Sequence, residues 1–280
     1  MDRLALDAPA KINLFLEVLG RRPDRYHEID TVMQTVTLAD RITLERADTL
    51  EIEVEGDAPA DSTNLAWRAA EALNQNVRIR IEKEIPAGAG LGGGSSDAAA
   101  VLLGLDRMFD LGLGPKGLQG PAARLGADVP FFLHGGTARC RGIGDRVEMV
   151  ENPPAGRFLL VMPGVLAATE SVYRALPAGL TGNPELATVF INEYCASDGG
   201  DRVVWFNRLQ EAAEALEPRL VSVRKGAESQ FGRAFLMTGS GAAYFAAWDQ
   251  ADEPRGDIDL GGVPAKVLVV KSRGRTSVAG

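Results

Sequence analysis

Apolar and polar residues alternate early in the chain. In residues 11–19 (KINLFLEVL), Ile12, Leu14, Leu16 and Val18 fall on one face, and period two predicts a half-buried strand. RRPDRY at 21–26 ends it with a Pro-Asp turn signal. Residues 29–46 predict a further strand that closes on the amphipathic ITLER. Val77, Ile79 and Ile81 alternate with Arg78, Arg80 and Glu82, which describes a strand with one wet face. Helical spacing takes over at 62–74 (STNLAWRAAEALN), where Leu65, Ala69 and Leu73 share a face behind a capping residue. It returns from about Ser96 to Phe109.

Asn152-Pro153-Pro154-Ala155-Gly156 is the best candidate boundary. Beyond it, residues 158–162 predict a buried strand. Residues 205–216 predict a helix with Leu209, Ala212, Ala213 and Leu216 on one face, and 267–270 predict a last buried strand. Residues 234–248 hold a Met-Thr-Gly-Ser-Gly loop before an apolar stretch, and the tail 272–280 reads as frayed. Strands and helices mix without a strict βαβ rhythm. That predicts an α+β fold rather than a doubly wound sheet, divided into domains at 1–151 and 152–280.

Composition narrows the classes. With 280 residues, 45% hydrophobic and 24% charged, the chain is globular and able to bury a core without staples. A net charge of −8 argues against broad nucleic-acid binding, which needs a basic footprint. The two cysteines, Cys140 and Cys195, fit neither a zinc spacing nor a disulfide framework. Two histidines, His27 and His134, leave no His-rich metal centre. The longest apolar runs fall short of the ~20 residues of a membrane span. Lys11, Asn13 and Glu17 interrupt any signal peptide, so cytoplasm is the default expectation.

The chemistry concentrates at 86–96, PAGAGLGGGSS, where five of eleven residues are glycine: Gly88, Gly90, Gly92, Gly93 and Gly94. Such density costs chain entropy. Close approach of bare backbone amides to an anion offsets it, and the following helix adds its own unpaired amides and partial positive charge. Gly88-x-Gly90-x-x-Gly93 matches a dinucleotide fingerprint in form, but it lacks the buried parallel strand before it and the acid ~20 residues later. No GxxxxGK[ST] occurs, nor the HRD and DFG elements of protein kinases. The loop is a third kind of phosphate cradle.

PAGAGLGGGSSDAAA at 86–100 resembles the ATP loop of the GHMP small-molecule kinases, named for galactokinase, homoserine kinase, mevalonate kinase and phosphomevalonate kinase. PAKINLFLEVLGRRPDRYHEIDTVMQ at 9–34, GADVPFFLHGGTARCRGIGD at 126–145 and MTGSGAAYFA at 237–246 are similar to one branch of them, which phosphorylates a CDP-linked methylerythritol at its tertiary 2-hydroxyl in non-mevalonate isoprenoid synthesis. The resemblance implies a two-domain GHMP kinase fold. Its N-terminal ATP-binding domain is like domain 2 of ribosomal protein S5, and its active site lies between the domains. The expected partner is a small molecule carrying a cytidine diphosphate group, with no nucleic acid and no membrane, and the chain is expected to be a monomer or weak homodimer. The alternatives are another GHMP kinase of homoserine or mevalonate type, or a nucleotide-binding regulator without catalysis.

The resemblance also implies roles. Pro86, Ala87, Gly88, Ala89, Gly90, Leu91, Gly92, Gly93, Gly94, Ser95 and Ser96 would cradle ATP, and Asn64 would serve the adenine pocket. Asp128, which on the residues alone reads as a cap or turn aspartate, would be the catalytic base. Lys11, which reads equally as a snorkelling lysine, would sit beside it. A Lys–Asp pair at ~4 Å and an effective dielectric near 20 gains about 4 kcal/mol before desolvation, which keeps the carboxylate charged. Tyr26 would stack on cytosine, and His27, as a donor and an acceptor, would read its edge. Thr169 and Tyr173 would lie nearby, with Tyr173 as a second stacking ring. Asn13 shares a strand face with Lys11 and would bind the erythritol hydroxyls. Gly239, Ser240 and Gly241 would close near the phosphates. Magnesium accompanies ATP chemistry; Ser96 is a candidate ligand and the protein donors are otherwise unknown. The family usually has glycine where this chain has Arg25, which either reaches a substrate phosphate or is a solvated turn charge, and which is expected to keep a negative φ.

Overall fold

The computed structural model describes residues 1–197 and 203–275; positions 276–280 of the tail expected to fray lie outside the described residues. Two sheets organise the chain. The first is built on a long antiparallel hairpin, β1 (Arg3–Arg21) and β2 (His27–Arg46). Its elements continue with β3 (Glu51–Glu55), α1 (Leu65–Ala72), β4 (Val77–Glu82), α2 (Gly93–Met108), α3 (Gly114–Leu125), α4 (Val129–Phe132), β5 (Thr137–Gly142) and β6 (Arg146–Met149). The second half adds β7 (Arg157–Pro163), α5 (Thr169–Arg174), α6 (Leu186–Ala196), β8 (Phe206–Asn207), α7 (Gln210–Leu216), α8 (Arg219–Phe231), β9 (Leu236–Met237), β10 (Tyr244–Ala247), β11 (Arg255–Asp259) and β12 (Pro264–Lys271).

Sheet order is β3-β4-β2-β1-β8 with β5 and β6 on the other end of β2, and β11-β12-β7-β10-β9 in the second sheet. The mixed α+β expectation is met. One core lies between the first sheet and the helices α1 and α2, and another beneath the second sheet against α7 and α8. A third joins the two sheets: Ile12, Leu14 and Phe15 pack with Phe158, Phe190, Tyr194 and Phe245. Burying aromatic rings of this size is what locks two sheets into one body.

Four expectations need correction. Strand β1 is not half-buried: from Ala10 to Val18 both faces are covered, because the polar face of Lys11, Asn13 and Glu17 turns into the interior between the sheets. Buried Glu17 is matched by Arg208, whose guanidinium donates to both carboxylate oxygens at 2.8 and 2.9 Å. Residues 205–209 are not helical. Phe206–Asn207 pairs in parallel with β1, and the helix starts only at Gln210, with Leu209 and Ala213 buried but Leu216 exposed. The tail is held as far as Arg275 by bridges from Ser272 to Val36 and from Arg275 to Gly135.

The fourth concerns Arg25, whose φ is 73. The Arg25 amide donates to the Arg22 carbonyl and the Arg22 amide to that of Tyr26, a turn with Pro23 second and a left-handed residue closing it. Glycine takes that conformation freely, whereas a side chain there costs roughly 1–2 kcal/mol.

Candidate active site

A cleft of 1610 Å³ runs between the sheets, floored by β1 and walled by the glycine-rich loop, α5 and the 239–240 turn. Lys11, Asn13, Tyr26, His27, Asn64, Asp128, Thr169, Tyr173, Gly239, Ser240 and all of 86–95 line it. Ser96 and Gly241 do not: Ser96 is buried one residue behind the wall, and a side chain on Gly241 would meet Met237 Sδ at 2.8 Å.

The helix after the loop begins earlier than the spacing predicts, at Gly93, because Gly92 caps it in the left-handed region with φ 75. Among the described residues, no amide from Ala87 to Ser95 donates a hydrogen bond, and the ladder opens with the Ser96 amide on the Gly92 carbonyl at 2.9 Å. A row of unpaired amides at the positive end of a 16-residue helix is an anion site. Glycine is needed at two points for space as well. A Cβ at Gly90 would lie 2.3 Å from the Thr238 carbonyl oxygen, and one at Gly92 would lie 2.9 Å from Phe132 and 3.1 Å from Lys11 Cγ. Backbone contact with the 238–243 segment shapes the loop from behind; there the Ala243 amide donates to the Ala89 carbonyl at 3.1 Å.

Facing the loop, Lys11 Nζ stands 3.7 Å from Asp128 Oδ2 and donates to Asn13 Oδ1 at 2.6 Å. Register shifts in β1 flank this segment, as bulges often do beside functional sites. Asp128 precedes α4 but does not cap it: its side chain makes no capping hydrogen bond and points to the lysine. Burial pulls the Lys11 ammonium below its usual range, and the Asp128 charge opposes the shift. Burial also pushes the neighbouring Cys140 thiol well up, so it stays protonated. The Asn13 amide group donates to Thr31 Oγ1 at 2.8 Å, and its backbone amide donates to Thr238 Oγ1 at 2.9 Å. Asn13 therefore anchors Lys11 while lining the cleft.

Sequence reasoning missed a second charged group on this wall. Lys83 Nζ donates to Asp40 Oδ2 at 2.5 Å and Asp97 Oδ2 at 2.7 Å, all three side chains being nearly inaccessible. Asp40 Oδ1 also accepts the amides of Glu84 and Ile85 at 2.6 and 2.8 Å. The triad thus ties the entry of the loop to the first turn of α2. An aspartate amid Ala98, Ala99 and Ala100 in a buried helix was the available signal. Burial pushes the Asp97 carboxyl up to about 7, Lys83 opposing and Asp40 adding to the shift. The folded carboxyl keeps its proton where the unfolded one, at about 4, has lost it. Folding takes up a proton there, so stability falls as pH rises from about 4 to about 7. Denaturant unfolding across that range is expected to show this slope in the wild type and to show it flattened in Asp97→Asn; parallel profiles would refute the assignment.

At the far end of the cleft the rings of His27 and Tyr173 stack with centroids 5.1 Å apart, while Tyr26 is 62% exposed at the rim. Burial, reinforced by the Arg21 charge, holds the His27 imidazole below its usual range and so neutral at pH 7. Thr169 and Ser240 share a hydrogen bond of 2.7 Å between their hydroxyls across the cleft. Asn64 caps α1, accepting from the Ala66 amide at 2.9 Å and donating to the Pro59 carbonyl at 2.7 Å, so its amide is already engaged where it lines the wall. Among the described residues, no three side chains of metal-ligating type cluster, and no helix is long and apolar enough to cross a membrane.

A glycine-rich loop of unpaired amides facing a Lys–Asp pair across the cleft between the two sheets is an arrangement suited to a small-molecule kinase. Residues 64–136 match the GHMP kinases N terminal domain. A 4-diphosphocytidyl-2-C-methyl-D-erythritol kinase from Geobacter sp. is 39% identical over 264 residues, 91% of this chain and 93% of its own length. A crystal structure of 4-(cytidine 5'-diphospho)-2C-methyl-D-erythritol kinase superposes with a TM-score of 0.75 at 35% identity, covering 95% of this chain and 99% of that one. A homoserine kinase from Cytophaga hutchinsonii shares the fold alone, with a TM-score of 0.69 at 19% identity over 99% and 97% of the two chains. The chain belongs to the 4-diphosphocytidyl-2-C-methyl-D-erythritol kinase family of the GHMP kinases.

Proposed function

We propose that the chain transfers the γ-phosphoryl group of ATP to the 2-hydroxyl of 4-diphosphocytidyl-2-C-methyl-D-erythritol, releasing ADP. The Lys11–Asp128 pair at 3.7 Å, opposite a row of unpaired amides, carries this reading. The loop 86–96 holds the triphosphate. Asp128 orients the acceptor hydroxyl and takes its proton as the oxygen–phosphorus bond forms and the bond to ADP breaks. In a loose transition state, abstraction need not precede attack. Lys11 keeps Asp128 ionised and steadies the oxygen as negative charge gathers on it. Such help matters for a tertiary alcohol, which is crowded and weakly nucleophilic.

Magnesium would find a cleft-lining donor at the start of α2 in Asp97, whose Oδ1 is buried without a hydrogen-bond partner, with the likewise unpartnered Ser96 Oγ just behind the wall. The ion takes few protein oxygens and many from phosphate and water; bound, it would neutralise phosphate charge. The neutral His27 imidazole and the Tyr26 and Tyr173 rings are the groups for the cytosine edge and faces. The acceptor of a homoserine or mevalonate kinase carries no nucleobase, and a regulator has no need of the Lys11–Asp128 pair.

The test is ADP release measured with the CDP-linked substrate, homoserine and mevalonate offered separately. Turnover is expected with the first alone; turnover confined to either of the others overturns the proposal.

A further inference from the structure

The turn at the mouth of the substrate end holds a charge imbalance that the reaction chemistry leaves unexplained. Arg22 takes up the neighbouring acids: its guanidinium reaches Asp24 at 3.0 Å and Glu28 at 2.7 Å. Across the cleft Arg174 pairs with Glu170. That leaves Arg21 and Arg25, both lining the cleft and both without an ion pair or side-chain hydrogen bond among the described residues. Two uncompensated guanidinium groups from one turn of the cleft wall are notable in a chain of net charge −8. Arg25 also holds its place with φ 73, where glycine would be at ease, and side chains kept in such conformations cluster at ligand clamps.

Resting on the substrate reading above, we propose that Arg25, with Arg21 beside it, receives the diphosphate that joins the cytidine to the sugar alcohol. Arg21 pairs in register with His27, the residue for the cytosine edge, and its charge acts on that imidazole; Arg25 lies two residues before His27 in the same turn, and all three line the cleft with Tyr173. A nucleoside held between these rings would carry its phosphates into the part of the cleft that Arg21 and Arg25 also line. Arginine presents a fork of donors matched to phosphate oxygens, so Arg25 is a specificity residue, acting on binding of the acceptor rather than on phosphoryl transfer.

Binding of cytidine, CMP and CDP to the full chain, measured by titration calorimetry with a non-hydrolysable ATP analogue saturating the other site, tests this. The wild type is expected to prefer CDP to cytidine. Arg25→Gly and Arg25→Ala should both reduce CDP affinity about tenfold, the loss of one partly exposed charge-assisted contact, and leave cytidine affinity in place. Arg25→Gly should also raise Tm, because the left-handed turn is relaxed, while Arg25→Ala keeps the strain without the charge. A CDP-to-cytidine preference unchanged in both variants overturns the proposal and leaves the substrate reading standing. Loss in Arg25→Gly but not in Arg25→Ala would also overturn it, assigning the effect to turn flexibility. If none of the three compounds binds the wild type, this proposal and the substrate reading fail together.

Discussion

Asp128→Asn is expected to lower kcat by a factor of about 10²–10⁴, the usual worth of a positioned general base, and to leave the KM for ATP essentially unchanged. The amide is nearly isosteric, so the cleft keeps its shape, but it accepts no proton from the acceptor hydroxyl. It also carries no charge, and Lys11 loses its largest electrostatic support. Burial already draws the Lys11 ammonium below its usual range and Asp128 opposes that. Without the carboxylate the ammonium gives up its proton at lower pH. The residual activity of the variant should therefore fall away at a lower pH than that of the wild type. Steady-state kinetics across pH measures both effects. A variant with wild-type kcat would show that Asp128 is not the base.

Lys83→Met is expected to destabilise the fold by about 3–5 kcal/mol, the range for removing one partner of a buried ionic group. Asp40 and Asp97 would be left facing one another without a counter-charge, with exposures of 0% and 2%. One of them must then take up a proton, so the loss is larger at high pH than at low. Tm should drop on the order of 10 °C. Adding Asp97→Asn removes one of the stranded charges and should restore part of the loss, because the cost lies in the unmatched charge rather than in the missing lysine. Thermal unfolding of both variants is the measurement, and a single variant as stable as the wild type would show that the triad contributes nothing. KM for ATP should rise as well, since Asp40 holds the two amides at the loop entry.

The parts of the molecule governed by local rules were legible in the sequence. Alternation located β1 and β4, and glycine density before an alanine-rich stretch located the glycine-rich loop and the helix after it. Long-range pairing was not legible. Asp40, Lys83 and Asp97 each read locally as a surface charge, and only the fold brings them within hydrogen-bonding distance. Residues 205–209 carry helical spacing, yet β1 recruits two of them as a strand because an exposed β1 edge has amides to satisfy. Burial of the polar face of β1 likewise depends on a second sheet that the pattern of β1 does not describe. At Arg25 the hairpin overrode side-chain preference. The described part of the tail, 272–275, is held for a similar reason: Ser272 and Arg275 have partners far away in the chain.

The contact of Gly90 with Thr238 and Gly241 has a further implication for how the enzyme comes into being. The proposed nucleotide cradle is written early in the chain, but the backbone that moulds it leaves the ribosome only after most of the polypeptide has been made. A nascent or truncated product ending near Pro153 would own every donor of that cradle and still lack its mould. A cradle for ATP at this loop would therefore be completed only after residues 238–241 have been made.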